Sequence, residues 1–174
     1  KFRRHGGKLM RELRRKKQEL SLERTEQILK SCTHGVLGVI GDGGYPYTVP
    51  MSYAYHDKKI YLHCAKAGHK LDAMKNDDRV SFCAVARDDV LEEGFTTKYE
   101  SAIAFGRARV ITKRDEIFFA MRLLAEKYCA VVPKEDTDAY IVKDIPHFYA
   151  VCIDIEHMTG KRGSELVKEE EMKA

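Results

Sequence analysis

The sequence predicts a mainly β, α+β domain in which a small antiparallel barrel carries its helices on the outside. Short β-type runs follow one another through polar or glycine-rich turns, which is typical of antiparallel sheets. The one sizeable helical pattern after the first strand falls between the last two runs. A doubly wound parallel sheet needs a helix after nearly every strand, so this order favours an antiparallel sheet that closes on itself.

Length and composition fit a single soluble domain. The chain has 174 residues, of which 44% are hydrophobic and 33% are charged, a balance typical of globular proteins. No stretch approaches the ~20 apolar residues that a membrane-spanning helix requires. The basic N-terminus is not followed by the apolar stretch of a secretory signal. We therefore expect a cytoplasmic protein that does not span a membrane.

The cysteines indicate the same compartment. They are odd in number, widely spaced and set in apolar surroundings, and no two form a C-x-x-C pair. This pattern disfavours a zinc ribbon and a thioredoxin-like motif, and it favours reduced core thiols in a reducing compartment. The residues concerned are Cys32, Cys64, Cys83, Cys129 and Cys152.

Charge is distributed unevenly along the chain. Residues 1–17 hold nine Lys or Arg and one acid, a charge of +8, so the remainder carries −4 of the total of +4. We predict a basic N-terminal helical segment (1–30), a main domain (31–161) and a charged C-terminal tail (162–174). A basic arm is also found in nucleic-acid-binding proteins, but the acidic body disfavours such a partner.

The first predicted element is a helix from Lys8 to Lys30. Ser21 is a candidate N-cap, because its hydroxyl can accept from a backbone N–H of the first turn. Glu23 and Glu26 follow it, where negative charge favours the helix dipole.

The next two strands are predicted by a short β-type run and by the clearest alternation in the chain. Val36–Ile40 ends at the glycine cluster 41–44, a hairpin signal. From 45 to 56, tyrosine and aliphatic residues alternate with small or polar ones at period two. Prolines cannot donate ladder hydrogen bonds, so we expect irregularity near Pro50. The tyrosines are interpreted as one packed face of a barrel strand, the alternative being a platform for stacking nucleic-acid bases.

The later elements follow in order from the same signals. They are a strand at 60–65, a loop at 66–69, a short helix at 70–76, a strand at 79–87, an acidic loop at 88–93, a strand at 101–111, a helix from 112 or 113 to about 128, a polar connection and a last strand at 149–155.

The loop Lys66–Lys70, which enters the short helix, is the first feature with chemical content. Helix N-termini expose unpaired N–H groups and the positive end of a dipole, which together form an anion site. Gly68 lets a ligand approach the backbone, and His69 and Lys70 add donors. A terminal phosphate would suit this loop, whereas a merely solvated turn is the alternative. The chain has neither a Walker motif nor G-x-G-x-x-G.

Several ordered motifs together resemble the pyridoxamine-phosphate-oxidase-like FMN-binding superfamily, and within it the Nim-type branch, named for 5-nitroimidazole resistance proteins. The motifs are Gly44–Tyr53, Ile60–Ala65, Gly68–Lys70, Asn76–Phe82, Tyr99–Ala108 and Thr159–Lys161. The resemblance implies a six-stranded antiparallel split β-barrel with peripheral helices, and a homodimer with FMN between the subunits. The chain has no Trp, and the Trp- and Arg-rich C-terminal signature of true pyridoxamine phosphate oxidases is missing. Vitamin B6 synthesis is therefore disfavoured.

The resemblance also implies positions for the cofactor contacts. The strand with Val49, Pro50, Met51 and Ser52 would run along the flavin. His63 and Cys64 match strand positions that face FMN. His69 and Lys70, with Lys66 in the same loop, would bind the phosphate. Ser101 matches a polar position near the ring, and Lys161 would approach the cofactor from the end of the chain.

His63 is also the candidate catalytic residue. A histidine on a strand is often structural, but this one lies where the resemblance places the flavin. An ordinary pKa near 6.5 suits it to donate a proton at neutral pH. Metal binding by His56, His63 and His69 is disfavoured, because their spacing fits no standard motif.

The function expected from these features is FMN-dependent reduction of a small electron-poor molecule, such as a nitro compound. NAD(P)H is a possible electron donor. The alternatives are a flavin store, electron carrier or redox sensor that does not turn over, and a haem-binding split barrel.

Overall fold

The computed structural model describes the backbone of residues 2–5 and 8–173 and the side chains of residues 10–173. Its strands are β1 (Phe2–His5), β2 (Lys8–Arg11), β3 (Glu19–Leu20), β4 (His34–Ile40), β5 (Pro46–Ser52), β6 (Ala54–His56), β7 (Lys59–Ala65), β8 (Arg79–Leu91), β9 (Thr96–Val110) and β10 (Phe148–Arg162). Its α-helices are α1 (Leu22–Ser31), α2 (His69–Asn76), α3 (Arg114–Tyr128), α4 (Lys134–Asp144) and α5 (Ser164–Glu171).

One antiparallel sheet dominates the fold, which confirms the predicted class. Its strands follow the order β5-β4-β8-β9-β10-β7-β6, and β3 adds to β10. The strands β1 and β2 form a separate hairpin. The main sheet therefore has eight strands among the described residues rather than six. The difference arises because one predicted strand is divided into β5 and β6, and because β3 is a two-residue addition.

Small residues of β9 line one side of the barrel interior, and larger side chains fill the space opposite them. Ala102, Ala104 and Ala108 of β9 are buried, with Gly106 between them. Ile28 and Leu29 of α1, both fully buried, close the barrel from outside the sheet. Because small residues leave room beside them, β9 can lie close to the rings that fill the interior.

A second core lies on the opposite surface of β7 and β10, beneath α3. Its buried residues include Tyr61, Ala120, Phe148 and Cys152. These two strands are consequently covered on both faces at this point. That explains why Ile60–Leu62 is a continuous apolar run rather than an alternating one.

The break in the tyrosine-rich strand lies at Tyr53 and not near Pro50, where we expected it. Pro50 pairs with Val36 inside β5, which is the last strand at its end of the sheet and so tolerates a missing N–H. At Tyr53 the hydroxyl of Tyr128 accepts a hydrogen bond from the backbone N–H, at 2.9 Å. The same hydroxyl lies within hydrogen-bonding distance of the carbonyl oxygens of Tyr53 and Thr33. A side chain from α3 thus replaces the ladder partners at this residue.

The prediction of a helix from Lys8 was wrong for residues 8–20. The helix begins at Leu22, where the Ser21 hydroxyl accepts from the Arg24 N–H at 3.1 Å, as the predicted cap requires. Before it lie β2, a 3₁₀ turn at Lys16–Gln18 and β3. Because the backbone of β3 pairs with β10, it cannot also form the hydrogen bonds of a helix.

Several strands also extend further than predicted. Residues 88–91 of the predicted acidic loop continue β8 and pair with 96–99 of β9, so the loop covers only 92–95. An ion pair between Arg87 and Asp89 accompanies this extension. The strand β10 reaches Arg162, and the segments interpreted as a polar connection and a tail contain α4 and α5.

The five cysteines are unpaired, and only part of the prediction that they lie in the core holds. Cys64 and Cys152 are buried, whereas Cys32 and Cys83 are half-buried. Cys129 is exposed, because it follows the last turn of α3. Among the described residues, no helix is long and apolar enough to cross a membrane.

We predict that Tyr128→Phe lowers the free energy of unfolding by about 1–3 kcal/mol, because it leaves the buried Tyr53 N–H without its partner. Chemical denaturation measures this change. Tyr140→Phe is the matched control, because Tyr140 is 66% exposed and should lose almost nothing. Equal stabilities of the two variants would show that the hydroxyl does not hold the strand break.

Candidate functional site

The N-terminus of α2 is an open set of backbone donors. Gly68 precedes the helix with a φ of +130°, which side chains of L residues rarely adopt. No side chain caps this end. The N–H groups of Leu71 and Asp72 donate to the Gly68 carbonyl, so the open donors are the N–H groups of His69 and Lys70. An added Cβ at Gly68 would meet no atom within 4 Å. This helix end therefore has both the donors and the space for an anion.

His69 fastens α2 to the turn between β4 and β5. Its ring stacks on Tyr47 with a centroid distance of 4.2 Å and an interplanar angle of 17°. Its Nε2 accepts a hydrogen bond from the Asp42 N–H at 3.3 Å. Tyr47 and Asp42 were missed as parts of the site, because only the folded chain brings the glycine-rich turn against α2.

Two lysines of the predicted phosphate loop have different surroundings. Lys66 is exposed, and its Nζ lies 5.5 Å from the centre of the Tyr149 ring. Lys70 is half-buried. Its charge helps to lower the pKa of His63 and opposes the rise that burial causes in the pKa of Cys64. The structure therefore places Lys70 close to the end of β7.

His63 lies on the outer side of β7, opposite Ala150 of β10. The Phe148 ring packs against it in an edge-on contact, with centroids 6.1 Å apart. The His63 side chain is partly exposed, but the atoms around it desolvate the ring and lower its pKa below the ordinary 6.5. Asp144 opposes this shift in the pKa and Lys70 adds to it. His63 is consequently neutral at neutral pH. Asp144 lies at the end of α4, a helix that was not predicted, so its presence beside His63 was missed.

Cys64 faces the opposite way from His63, because side chains alternate along a strand. It is 7% exposed and belongs to the barrel core. Burial raises the pKa of its thiol, so it stays protonated. Only its backbone could meet a ligand that contacts His63.

The four candidate residues of β5 alternate in the same way. Val49 and Met51 are half-buried and point to the barrel interior, and Met51 packs against the core. Pro50 and Ser52 are exposed on the other face. A planar ligand could therefore lie along this edge strand by contacting its backbone and alternate side chains.

Ser101 and Lys161 lie directly opposite each other on β9 and β10. The Lys161 Nζ is 5.6 Å from the centre of the Tyr99 ring. Two positions further along these strands, Ile103 faces Thr159. Residues opposite each other in antiparallel strands share a face of the sheet, so all four of these side chains point outward.

That face continues across the sheet to β5. The cross-strand row is Pro50, Val36, Cys83, Ile103 and Thr159, and we call the surface around it the outer sheet face. It carries exposed apolar side chains at Val36, Val85, Ile103 and Phe105. The outer sheet face thus joins Pro50 and Ser52 with Ser101 and Lys161.

The candidate residues form two groups in one chain. Lys66, His69, Lys70 and His63 surround the start of α2 and the end of β7, whereas Ser101 and Lys161 lie on the outer sheet face. No hydrogen bond, ion pair or ring contact between described side chains connects these groups.

The described part of the chain contains no cluster of three or more His, Cys, Asp or Glu that could hold a metal ion. The three histidines considered for this role pack against different aromatic rings, His56 against Phe119, His63 against Phe148 and His69 against Tyr47.

Solved structures with the same fold include the following three. One is a conserved hypothetical protein from Mycobacterium tuberculosis, 19% identical, with a TM-score of 0.75 over 87% of this chain and 90% of that one. Another is a candidate 5-nitroimidazole antibiotic resistance protein from Bacteroides thetaiotaomicron, 21% identical, with a TM-score of 0.70 over 83% and 86%. The third is an FAD- and haem-binding protein from Mycobacterium smegmatis, 18% identical, with a TM-score of 0.67 over 84% and 73%.

No curated protein matches the chain. A sequence model of the family described as pyridoxamine 5'-phosphate oxidase matches residues 21–162. That range contains every candidate site residue and runs from the cap of α1 to the last residue of β10. The chain belongs to the pyridoxamine 5'-phosphate oxidase family.

Proposed function

We propose that the protein binds FMN and acts as an oxidoreductase on a small electron-poor molecule such as a nitro compound. The observation that carries the proposal is the open N-terminus of α2, with Lys70 beside it and His63 nearby. Family membership and a fold shared with an FAD- and haem-binding protein and a candidate nitroimidazole resistance protein support it.

The phosphate of FMN would be held at the start of α2. Backbone N–H groups at a helix N-terminus and a lysine ammonium both favour a dianion. His69 would contribute mainly by fixing α2 against Tyr47 and Asp42, since its Nε2 already accepts a hydrogen bond. A single phosphate suits this site, because the site offers one helix N-terminus and one adjacent lysine charge. This is why the proposal specifies FMN among the flavins.

The flavin supplies hydride and one- or two-electron chemistry when bound. In the proposal β5 aligns the ring along its backbone, and Ser101 and Lys161 donate hydrogen bonds to it. His63 supplies a proton to the substrate from its imidazolium form. NAD(P)H is the proposed electron donor, and the unpaired thiols suit a reducing, cytoplasmic setting.

We predict that the purified protein carries a flavin and that its absorption spectrum shows no haem Soret band.

We also predict that Lys70→Glu weakens FMN binding about tenfold or more. A charge-assisted contact contributes roughly 1.5–3 kcal/mol, and the variant replaces it with repulsion. Fluorescence titration of the apoprotein with FMN measures the dissociation constant.

Lys75→Glu is the control for this experiment, because Lys75 is exposed at the other end of the same helix. It should bind FMN as the unchanged protein does. An unchanged dissociation constant in Lys70→Glu would place the phosphate elsewhere, and a Soret band would favour haem.

We also predict that turnover of a nitro substrate rises as the pH falls, with a midpoint below 6.5. The reason is that burial holds the pKa of His63 below its ordinary value, so the proton-donating form accumulates only in acid. His63→Gln should abolish this pH dependence and retain bound flavin. Steady-state rates from pH 5 to pH 8 measure it. Flavin that is never reoxidised by any substrate would instead favour an electron carrier or sensor.

The proposal includes a homodimer in which the outer sheet face is the interface. An apolar surface of this kind on a soluble protein marks an interaction site. A two-fold contact would bring the Ser101 and Lys161 of one subunit towards the α2 site of the other, and would repeat the arrangement twice. This would unite the two groups of candidate residues that one chain keeps apart.

We predict that Ile103→Glu converts the dimer to a monomer and releases flavin, because it places charge in the proposed interface. Val131→Glu is the control, since Val131 is 97% exposed in the loop between α3 and α4. Sedimentation and flavin fluorescence across one dilution series follow assembly and binding together. A monomeric Ile103→Glu variant that keeps all its FMN would contradict a site shared between chains.

A further inference from the structure

A groove between residues 14–18 and one face of α5 has no part in the flavin proposal. Its volume is about 490 Å³, within the ~300–1,000 Å³ typical of small-molecule sites. The residues that line it are Arg14, Arg15, Lys16, Lys17 and Gln18 from the first segment and Ser164, Val167, Lys168 and Glu171 from α5. The helix residues are three and four positions apart and so share one face. We call this feature the basic groove.

The cations of the basic groove fall into two classes. The lysines are paired with carboxylates: Lys17 with Glu171 at 3.1 Å, Lys168 with Glu165 at 2.9 Å, and Lys16 with Glu12 at 3.2 Å and Glu19 at 3.4 Å. Arg14 and Arg15 are exposed and have no ion-pair partner in the described part of the chain. A guanidinium presents a rigid fork of donors that matches phosphate oxygens. The two arginines are therefore the groups available to an anion.

Gln18 provides evidence for a ligand that does not depend on the arginine charges. It lines the basic groove and is only 5% exposed. Its Oε1 is buried without a hydrogen-bond partner among the described residues. Buried polar groups are normally hydrogen-bonded, and an unpaired one costs folding free energy. This oxygen only accepts hydrogen bonds, so a ligand hydroxyl or N–H group that reaches it from the groove could supply the missing donor.

The segment that carries these groups is held in place. Residues 16–18 form a 3₁₀ turn, in which the Gln18 N–H donates to the Arg15 carbonyl at 3.0 Å. Glu19, the next residue, pairs with Lys161 of β10. The opposite wall includes Val167, which is buried, and the methylene stems of the lysines add apolar surface. The groove thus combines two phosphate-type donors with an apolar wall.

We propose that the basic groove binds a nucleoside diphosphate or a larger molecule that contains one. The phosphates lie on Arg14 and Arg15, a hydroxyl of the ligand donates to the Gln18 Oε1, and the flat apolar part lies against Val167. This site is separate from the flavin phosphate site, because no residue of the α2 loop lines it. In this proposal the basic N-terminal segment binds a small molecule and not a nucleic acid.

Isothermal titration calorimetry on the full-length, flavin-loaded protein tests the proposal, with ADP and inorganic pyrophosphate as probes. ADP should bind saturably with one site per chain, and pyrophosphate should bind at least tenfold more weakly because it lacks the apolar part. Arg14→Glu/Arg15→Glu should weaken ADP binding at least tenfold. Lys113→Glu/Arg114→Glu makes the same change in charge at another exposed pair and should leave it within twofold. Lys70→Glu, compared with the unchanged protein after both have been stripped of flavin, should also leave it within twofold, which separates this site from the flavin site.

Gln18→Met provides a test that does not rely on charge. It removes the buried amide while nearly keeping its volume, so the thermal midpoint of the ligand-free protein should rise and ADP affinity should fall. A lowered midpoint with unchanged affinity would show that Gln18 is only a structural residue, and would overturn the proposal.

Three further results would also overturn it. One is the absence of saturable ADP binding. Another is equal weakening by both charge-reversal pairs, which would indicate a general effect of net charge. The third is saturable binding of a single-stranded oligonucleotide that is lost in Arg14→Glu/Arg15→Glu while ADP does not bind, which would assign the segment to nucleic acid.

Discussion

The close approach of β9 and β10 at Gly106 is the constraint on which the barrel depends. A Cβ at this position would lie 2.3 Å from the Asp154 carbonyl oxygen, so any larger residue would force the strands apart. Alanines at the neighbouring inward positions of β9 are buried. The space they leave is filled by rings such as Tyr53 and Phe82, whose centroids are 4.6 Å apart. The barrel curls because the inward side chains of β9 are small and the side chains that face them across the interior are large.

The end of α3 connects this core to the site. Tyr128 binds the backbone of Tyr53, and the Lys127 Nζ donates to the Cys32 carbonyl at 2.6 Å and lies 4.1 Å from the centre of the Tyr53 ring. Burial lowers the pKa of Lys127, while the aromatic face favours its charged form. These contacts end β5 at Ser52, and β5 is the last strand at its end of the sheet. A helix thus satisfies the backbone where this edge strand stops.

Much of the candidate site could be predicted, since its parts are local. The predicted phosphate loop is a short segment in which Gly68, His69 and Lys70 lead into one helix. The partners of these residues could not be predicted in the same way. Tyr47 and Asp42 meet His69 only because α2 packs across the β4–β5 turn, and Asp144 meets His63 through a helix that the sequence pattern did not reveal.

The sequence by itself determined the antiparallel class, the order of most elements, the cap of α1 at Ser21 and the glycine and basic residues at the start of α2. Each of these follows from alternation, turn residues or capping within a few positions of the chain. Only the tertiary structure decided where the tyrosine-rich strand breaks, which faces His63 and Cys64 occupy, and that residues 14–18 meet α5. Those outcomes depend on contacts between residues far apart in the chain, such as Tyr53 with Tyr128 and Glu19 with Lys161. A local pattern sets what a segment can form, but the packing of distant segments sets which of its groups remain free to bind.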